Sequence, residues 1–154
     1  MPHLAQLNIG QIKYDLDDPR MADFVNNLEK INALAERMPG FVWRYQDESG
    51  NATSTKRDGD PRALLNMSVW ESAEALETFV FGTVHAQFYA RKAEWFDTMT
   101  AQHFVMWPVP EGHQPTIEEA LERLAEYQQT GATDRVFGWD ALPKAALWME
   151  KRCA

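Results

Sequence analysis

A short stretch near the middle of the chain carries side chains that could bind and polarise a small molecule. Hydrogen-bonding and apolar side chains alternate there: Leu65, Asn66, Met67, Ser68, Val69 and Trp70. Alternate side chains of a β-strand point to opposite faces of the sheet. We expect the apolar set to face the helices, which leaves the amide of Asn66, the hydroxyl of Ser68 and the indole of Trp70 on the opposite face.

The first strand adds two further amides by the same alternation. Leu7 and Ile9 belong with the apolar set, so Gln6 and Asn8 are expected beside the polar set. Hydrogen-bonding groups among aromatic side chains are typical of a pocket for a partly polar ring compound. The alternative is that these amides pair with each other across the sheet or across a dimer interface.

His85 is a candidate general base, because the ordinary pKa of histidine is close to neutral and a neutral imidazole can accept the proton of a phenol. A lone histidine on a helix is more often structural. Trp43 and Tyr89 are candidates for contact with the substrate. Large aromatic side chains also serve a core or an interface, so this second interpretation stays open for both residues.

Composition excludes several classes of function. The net charge of −8 comes without a basic cluster, so nucleic acid is not an expected partner. Neither a membrane span nor a signal peptide is indicated, and we expect a cytoplasmic protein. The single Cys153 and four histidines without paired spacing indicate no metal site. There is no glycine-rich phosphate loop and no nucleophile elbow, and we expect no cofactor.

The elements that position these residues follow one another in a simple order. The pattern predicts strands and helices over 3–14 (strand), 19–38 (helix), 41–46 (strand), 64–70 (strand), 72–97 (helix, broken near Gly82) and 104–109 (strand), with a long loop over 47–62. This βαββαβ order predicts an α+β ferredoxin-like fold with a four-stranded antiparallel sheet.

The two helices of that fold cover one face of the sheet, and we expect no helix on the other. An apolar bare face needs a partner, so the sequence predicts a homodimer that forms a dimeric α/β barrel. Residues 1–112 would form this domain. Residues 113–154 would form a C-terminal extension, opened by the capping box Thr116 to Glu119, that packs on the same domain or on the dimer mate.

The run from Asn66 to Leu76, followed by His85, resembles the third-strand and second-helix signature of the dimeric α/β-barrel superfamily, which includes the antibiotic-biosynthesis monooxygenases. Over nearly its full length the chain resembles a bacterial family of that superfamily, the domain of unknown function 3291. The resemblance implies the fold directly and an activity more distantly.

In the polyketide-tailoring members, an Asn and a Trp four residues later hold the substrate of a cofactor-independent oxygenase that converts anthrones or related phenols to quinones. Asn66 and Trp70 match this pair. The amide would stabilise the enolate oxygen of the substrate, so that neither metal nor flavin is needed. Other members bind haem through a histidine, a role that His85 or His103 would take.

Three hypotheses follow. The first is a cofactor-independent monooxygenase for a small aromatic or polyketide-like substrate, with Asn66, Trp70 and His85 as catalytic residues. The second is a non-catalytic dimer that binds a small hydrophobic ligand. Both require the polar set on the face opposite the helices. The third is an interaction protein without a cavity.

Overall fold

The computed structural model describes residues 2–46, 63–83, 85–97 and 103–141. The elements are β1 (His3–Gln11), α1 (Ala22–Arg37), β2 (Phe41–Arg44), β3 (Ala63–Trp70), α2 (Ala73–Gly82), α3 (His85–Ala90), α4 (Lys92–Trp95), β4 (Phe104–Val109) and α5 (Ile117–Thr130). The predicted loop 47–62 and Cys153 lie outside the described residues.

The four strands form one sheet in the order β2-β3-β1-β4, and every neighbouring pair is antiparallel. The first and third strands are the two central ones, so their side chains meet in pairs such as Asn8 with Asn66 and Gln6 with Ser68. The predicted α+β ferredoxin-like fold is confirmed.

Local signals set the helix ends as the sequence predicts. Asp18 accepts a hydrogen bond from the backbone N–H of Arg20 and precedes a 3-10 turn that leads into α1. Ser72 caps α2 in the same way. The predicted break falls at Gly82, the last residue of α2, and Thr83 then accepts the N–H of His85 at the start of α3.

The assignment of strand faces is wrong. The apolar set of β3 packs with Leu7 and Ile9 against α5, whereas Trp70 lies beneath α2, where its ring stacks on Phe79 with centroids 5.4 Å apart. The alternation itself is correct. The error lies in which helices cover each face. Alternation along a strand shows which side chains share a face, but it does not show which helices pack on that face.

The expectation that no helix of the chain covers the second face is also wrong. Ala120, Leu124 and Tyr127 of α5 are buried in the cluster on that face. Trp107 Nε1 and His113 Nε2 lie 3.0 and 2.8 Å from the carboxylate oxygens of Glu119 and link α5 to the sheet. The homodimer therefore stays a prediction, without the bare face that suggested it.

The chain after α5 wraps the edge of the sheet. Phe137 exchanges two backbone hydrogen bonds with Met106 of β4, so this segment runs beside the last strand. Trp139 then reaches the other face and stacks on Phe104 with centroids 5.2 Å apart. The described part of the extension, residues 113–141, thus packs on the body of its own chain and contributes to both faces. No helix in the described part of the chain is long and apolar enough to cross a membrane.

Candidate functional site

A row of polar side chains occupies the centre of the face beneath α1 and α2. It consists of Gln6, Asn8, Asn66 and Ser68, which we call the amide floor. Asn8 and Asn66 are exposed although both stand on central strands, whereas Gln6 and Ser68 are only 4% and 7% exposed. The helix layer therefore leaves an opening over the middle of the sheet through which solvent reaches the amides.

Two separate apolar clusters flank the amide floor. One surrounds Trp70 and includes Ile31 of α1, and the other surrounds Trp95, with Phe24 of α1 packed against it. Leu28 lies between these two helical positions, is half-buried and belongs to neither cluster. The gap between the clusters therefore lies over the amides, and we call this gap the amide cleft.

Aromatic side chains border the amide cleft on two sides near Asn8. Phe104 is the register partner of Asn8, and Trp139 stacks on it. Along β1, Phe96 lies against Gly10, where a Cβ atom would come within 2.6 Å of the ring. Glycine is needed at this position because any side chain would collide with Phe96. A flat ligand over Asn8 would thus meet aromatic surfaces on two sides and amides below.

A chain of hydrogen bonds fixes the orientation of the amides. Trp70 Nε1 donates to Ser68 Oγ at 2.9 Å, and Gln6 Nε2 donates to the same oxygen at 2.8 Å and to Asn66 Oδ1 at 2.8 Å. Among the described residues, Asn66 Nδ2 and Gln6 Oε1 have no hydrogen-bond partner. The network thus holds one donor and one acceptor ready for a ligand.

The structure brings together four of the predicted site residues, namely those of the amide floor. Trp70 is 1% exposed, so it contacts the floor through its N–H and is otherwise part of the core. Trp43 lies on the opposite face with the cluster under α5, away from the amide floor, and its contact with a substrate stays a prediction. The polar set lies beneath the helices, so the pocket predicted on the opposite face is wrong, and the two ligand hypotheses fall in the form that required it. A site beneath the helices depends on the geometry described above.

The two helix-borne candidates lie in the layer above the sheet. The ring of His85 is 4.9 Å from that of Phe79, and its Nδ1 lies 3.2 Å from the carbonyl oxygen of Val80. Tyr89 contacts Phe81, with ring centroids 5.6 Å apart. A role for His85 or Tyr89 in contact with a ligand stays a prediction.

Sequence reasoning missed the aromatic side chains that border the cleft. Phe104 and Trp139 meet only because the extension turns around β4, which no local pattern indicates. Gly10 was the one available signal, because a glycine inside a strand often marks a close approach of another group.

The amide floor is uncharged, and the groups with shifted pKa lie elsewhere. Arg20, for example, lowers the pKa of Asp18 to about 2 through a side-chain hydrogen bond. The described residues contain no group of three or more His, Cys, Asp or Glu side chains that could hold a metal ion. Hydrogen bonds and aromatic contacts are therefore the means by which the described amide floor and its aromatic neighbours would hold a ligand.

Solved structures resemble the chain at low sequence identity. A conserved protein from Methanosarcina mazei Go1 has a TM-score of 0.51 at 13% identity and covers 71% of this chain and 94% of its own. A protein of unknown function from Nitrosomonas europaea has a TM-score of 0.50 at 14% identity, with coverages of 75% and 97%. These likenesses show the fold alone.

A third solved structure, a putative antibiotic biosynthesis monooxygenase from Chloroflexus aurantiacus J-10-fl, has a TM-score of 0.45 at 16% identity and covers 73% of this chain and 97% of its own. No curated protein matches the chain. Residues 3–153 match the family model described as Domain of unknown function (DUF3291), as the sequence resemblance predicted, and the chain therefore belongs to that family.

Proposed function

We propose that the protein binds a small oxygenated aromatic compound in the amide cleft. The observation that carries this proposal is the exposure of Asn8 and Asn66 on the two central strands, beneath a helix layer. A central position under helices is normally filled by apolar side chains, as on the α5 face of the same sheet. Two amides open to solvent there contribute little to packing and are suited to a ligand.

The chemistry of the cleft indicates what the ligand carries. Asn66 Nδ2 offers hydrogens to an oxygen acceptor, and Gln6 Oε1 accepts from a hydroxyl. The rings of Phe104 and Phe96 favour a flat aromatic framework. A phenol or a hydroxylated aromatic ketone meets these requirements together.

Binding is tested by titrating the purified protein with naphthols, hydroquinones and anthrones and following calorimetric heat or tryptophan fluorescence. We expect Asn66→Ala to weaken binding about tenfold, because one hydrogen bond to the ligand is lost. Asn26→Ala, which removes an exposed amide of α1, is the matched control. Equal affinity of wild type and Asn66→Ala for every bound compound would contradict the proposal.

A second candidate function is cofactor-independent oxygenation, and the hydrogen-bond network favours it. Gln6 Nε2 donates to Asn66 Oδ1 and is itself held by Ser68 Oγ, so the Nδ2 hydrogens of Asn66 would be aimed at the substrate oxygen before reaction. A donor fixed in this way stabilises the negative charge that develops on an enolate. The requirement for a metal or flavin would then fall away, because the enolate itself reduces O₂.

The reaction balances as follows for an anthrone. A base removes a proton from the CH₂ carbon, and the resulting enolate gives electrons to O₂. One oxygen atom becomes the new carbonyl oxygen, and the other leaves as water with the two hydrogens of the CH₂ group. His85 is the sequence-predicted base, and Phe79 contacts both His85 and Trp70 in the structure.

Oxygen uptake with anthrones, naphthols and hydroquinones tests this second function. We expect Asn66→Ala to lower kcat about 100-fold, the usual effect of losing a donor to an oxyanion. His85→Gln tests the base and should flatten the pH profile of the rate if His85 accepts the proton. Uptake at the buffer background for every compound that binds would leave a binding protein without oxygenase activity.

A further inference from the structure

We propose that Arg44 gives the amide cleft a preference for aromatic ligands that carry a carboxylate. This inference rests on the proposed ligand-binding function and names the class of ligand more closely. Arg44 ends β2, and its register partner on β3 is Ser68, which pairs in turn with Gln6 on β1. Register partners on antiparallel strands share a face. Arg44 therefore stands on the face of the amide floor, in line with two of its members.

Most of the hydrogen-bonding capacity of Arg44 is unused. Its Nε donates to Glu36 Oε1 of α1 at 2.8 Å, and among the described residues this is its one ion pair. The side chain is only 14% exposed. Across the described residues, the one fully buried side-chain nitrogen or oxygen without a partner is His3 Nδ1, so both Nη groups of Arg44 are reached by solvent.

A guanidinium in this state is suited to a carboxylate. Its two Nη groups can donate two parallel hydrogen bonds, and partial burial weakens the screening of its charge by water. The protein as a whole has a net charge of −8, so an anionic ligand needs a local cation to offset general repulsion. The amide floor supplies none, and the neighbouring Arg44 does.

Arg44 and Asn66 are close neighbours on the sheet. Arg44 is directly opposite Ser68, so Asn66 stands at the diagonal position, with backbones about 7–8 Å apart for such neighbours in antiparallel strands. An aromatic acid that also has a hydroxyl presents one group for each of these two side chains. A ligand with both groups would reach the guanidinium and the amide at the same time.

The test compares 6-hydroxy-2-naphthoate with 2-naphthol, which share the ring system and the hydroxyl and differ in the carboxylate. We expect wild type to bind the naphthoate about tenfold more tightly, since hydrogen bonds to charged groups are the stronger class. Arg44→Gln should bind the two compounds equally and keep the wild-type affinity for 2-naphthol. Arg37→Gln, an exposed arginine of α1, should keep the preference.

Glu36→Gln separates recognition from structure, because it breaks the ion pair but leaves the cation. The preference should persist in this variant. If it is lost there as in Arg44→Gln, Arg44 acts by anchoring α1 and the inference is overturned. If near-ultraviolet circular dichroism shows that Arg44→Gln does not fold, the salt dependence of wild type is measured in its place. The preference of wild type for the naphthoate should decrease as the salt concentration is raised from about 0.02 to 0.5 M, and a constant preference overturns the inference.

Failure of the inference and failure of the proposed function differ in outcome. Equal affinity of wild type for the two compounds overturns the role of Arg44 and leaves the amide cleft as a binding site for neutral phenols. Binding of neither compound overturns the proposed function, and the inference with it.

Discussion

The two faces of the sheet are built on opposite principles. On the α5 face, Leu7 and Val105 are fully buried and the apolar cluster is continuous from strand to helix. On the face of α1 and α2, the amide floor divides the apolar side chains into two clusters. Since buried apolar area is the main source of stability, the first face stabilises the fold while the second gives up part of its core to an opening.

Two neighbouring residues of β1 test this difference between the faces most directly. Leu7→Ala should lower the free energy of unfolding by about 2–5 kcal/mol, because it leaves a cavity in the core of the α5 face. Asn8→Ala, one position along and exposed on the other face, should change it by less than about 0.5 kcal/mol. Urea unfolding measures both. Comparable losses for the two variants would show that the amide cleft is as tightly packed as the α5 face.

Within the amide cleft, Gln6 should be the one costly polar residue. Gln6→Ala removes the donor that Ser68 Oγ and Asn66 Oδ1 accept from, and we expect a loss of about 1–3 kcal/mol in urea unfolding. Gln114→Ala, which removes an exposed side chain, is the control and should have no measurable effect. A neutral Gln6→Ala would mean that water replaces the network without cost, and the orientation of Asn66 would then need another cause.

Sequence patterns predicted the fold more completely than they predicted the site. Alternation along β1 and β3 grouped the four members of the amide floor correctly, because side-chain parity is a local property of a strand. The covering layer depends on where distant segments pack. Trp139 and the α5 residue Leu124 lie far along the chain from β3, and their positions follow from the wrap of the extension around β4.

Trp43 shows the same limit at the level of one residue. The pairing of β2 with β3 shifts between Phe41 and Trp43, which leaves Phe41 beside Trp70 and turns Trp43 toward the α5 face. A β-bulge of this kind moves each later side chain of the strand to the opposite face of the sheet. Alternation along the sequence does not reveal such a bulge, so it cannot assign Trp43 to a face.

The smallest expected effect concerns the link that holds α5 on its face. Partial burial raises the pKa of Glu119, but hydrogen bonds from His113 and Trp107, with the nearby charge of Arg123, outweigh it and lower the pKa below the usual 4.5. A carboxylate with a lowered pKa in the folded state adds stability above its unfolded pKa, and this stability is lost as the pH falls through the folded value.

Glu119→Gln should therefore be less stable than wild type by about 1 kcal/mol near neutral pH, and the two proteins should converge as the pH falls through the lowered pKa of the folded carboxyl group. Urea unfolding at a series of pH values follows the difference. Glu118→Gln, on the exposed side of the same helical turn, controls for the removal of one negative charge. A stability difference that stays constant with pH would mean that the shape of the side chain rather than its charge fixes α5 to the sheet. Apolar packing alone would then hold α5 on its face.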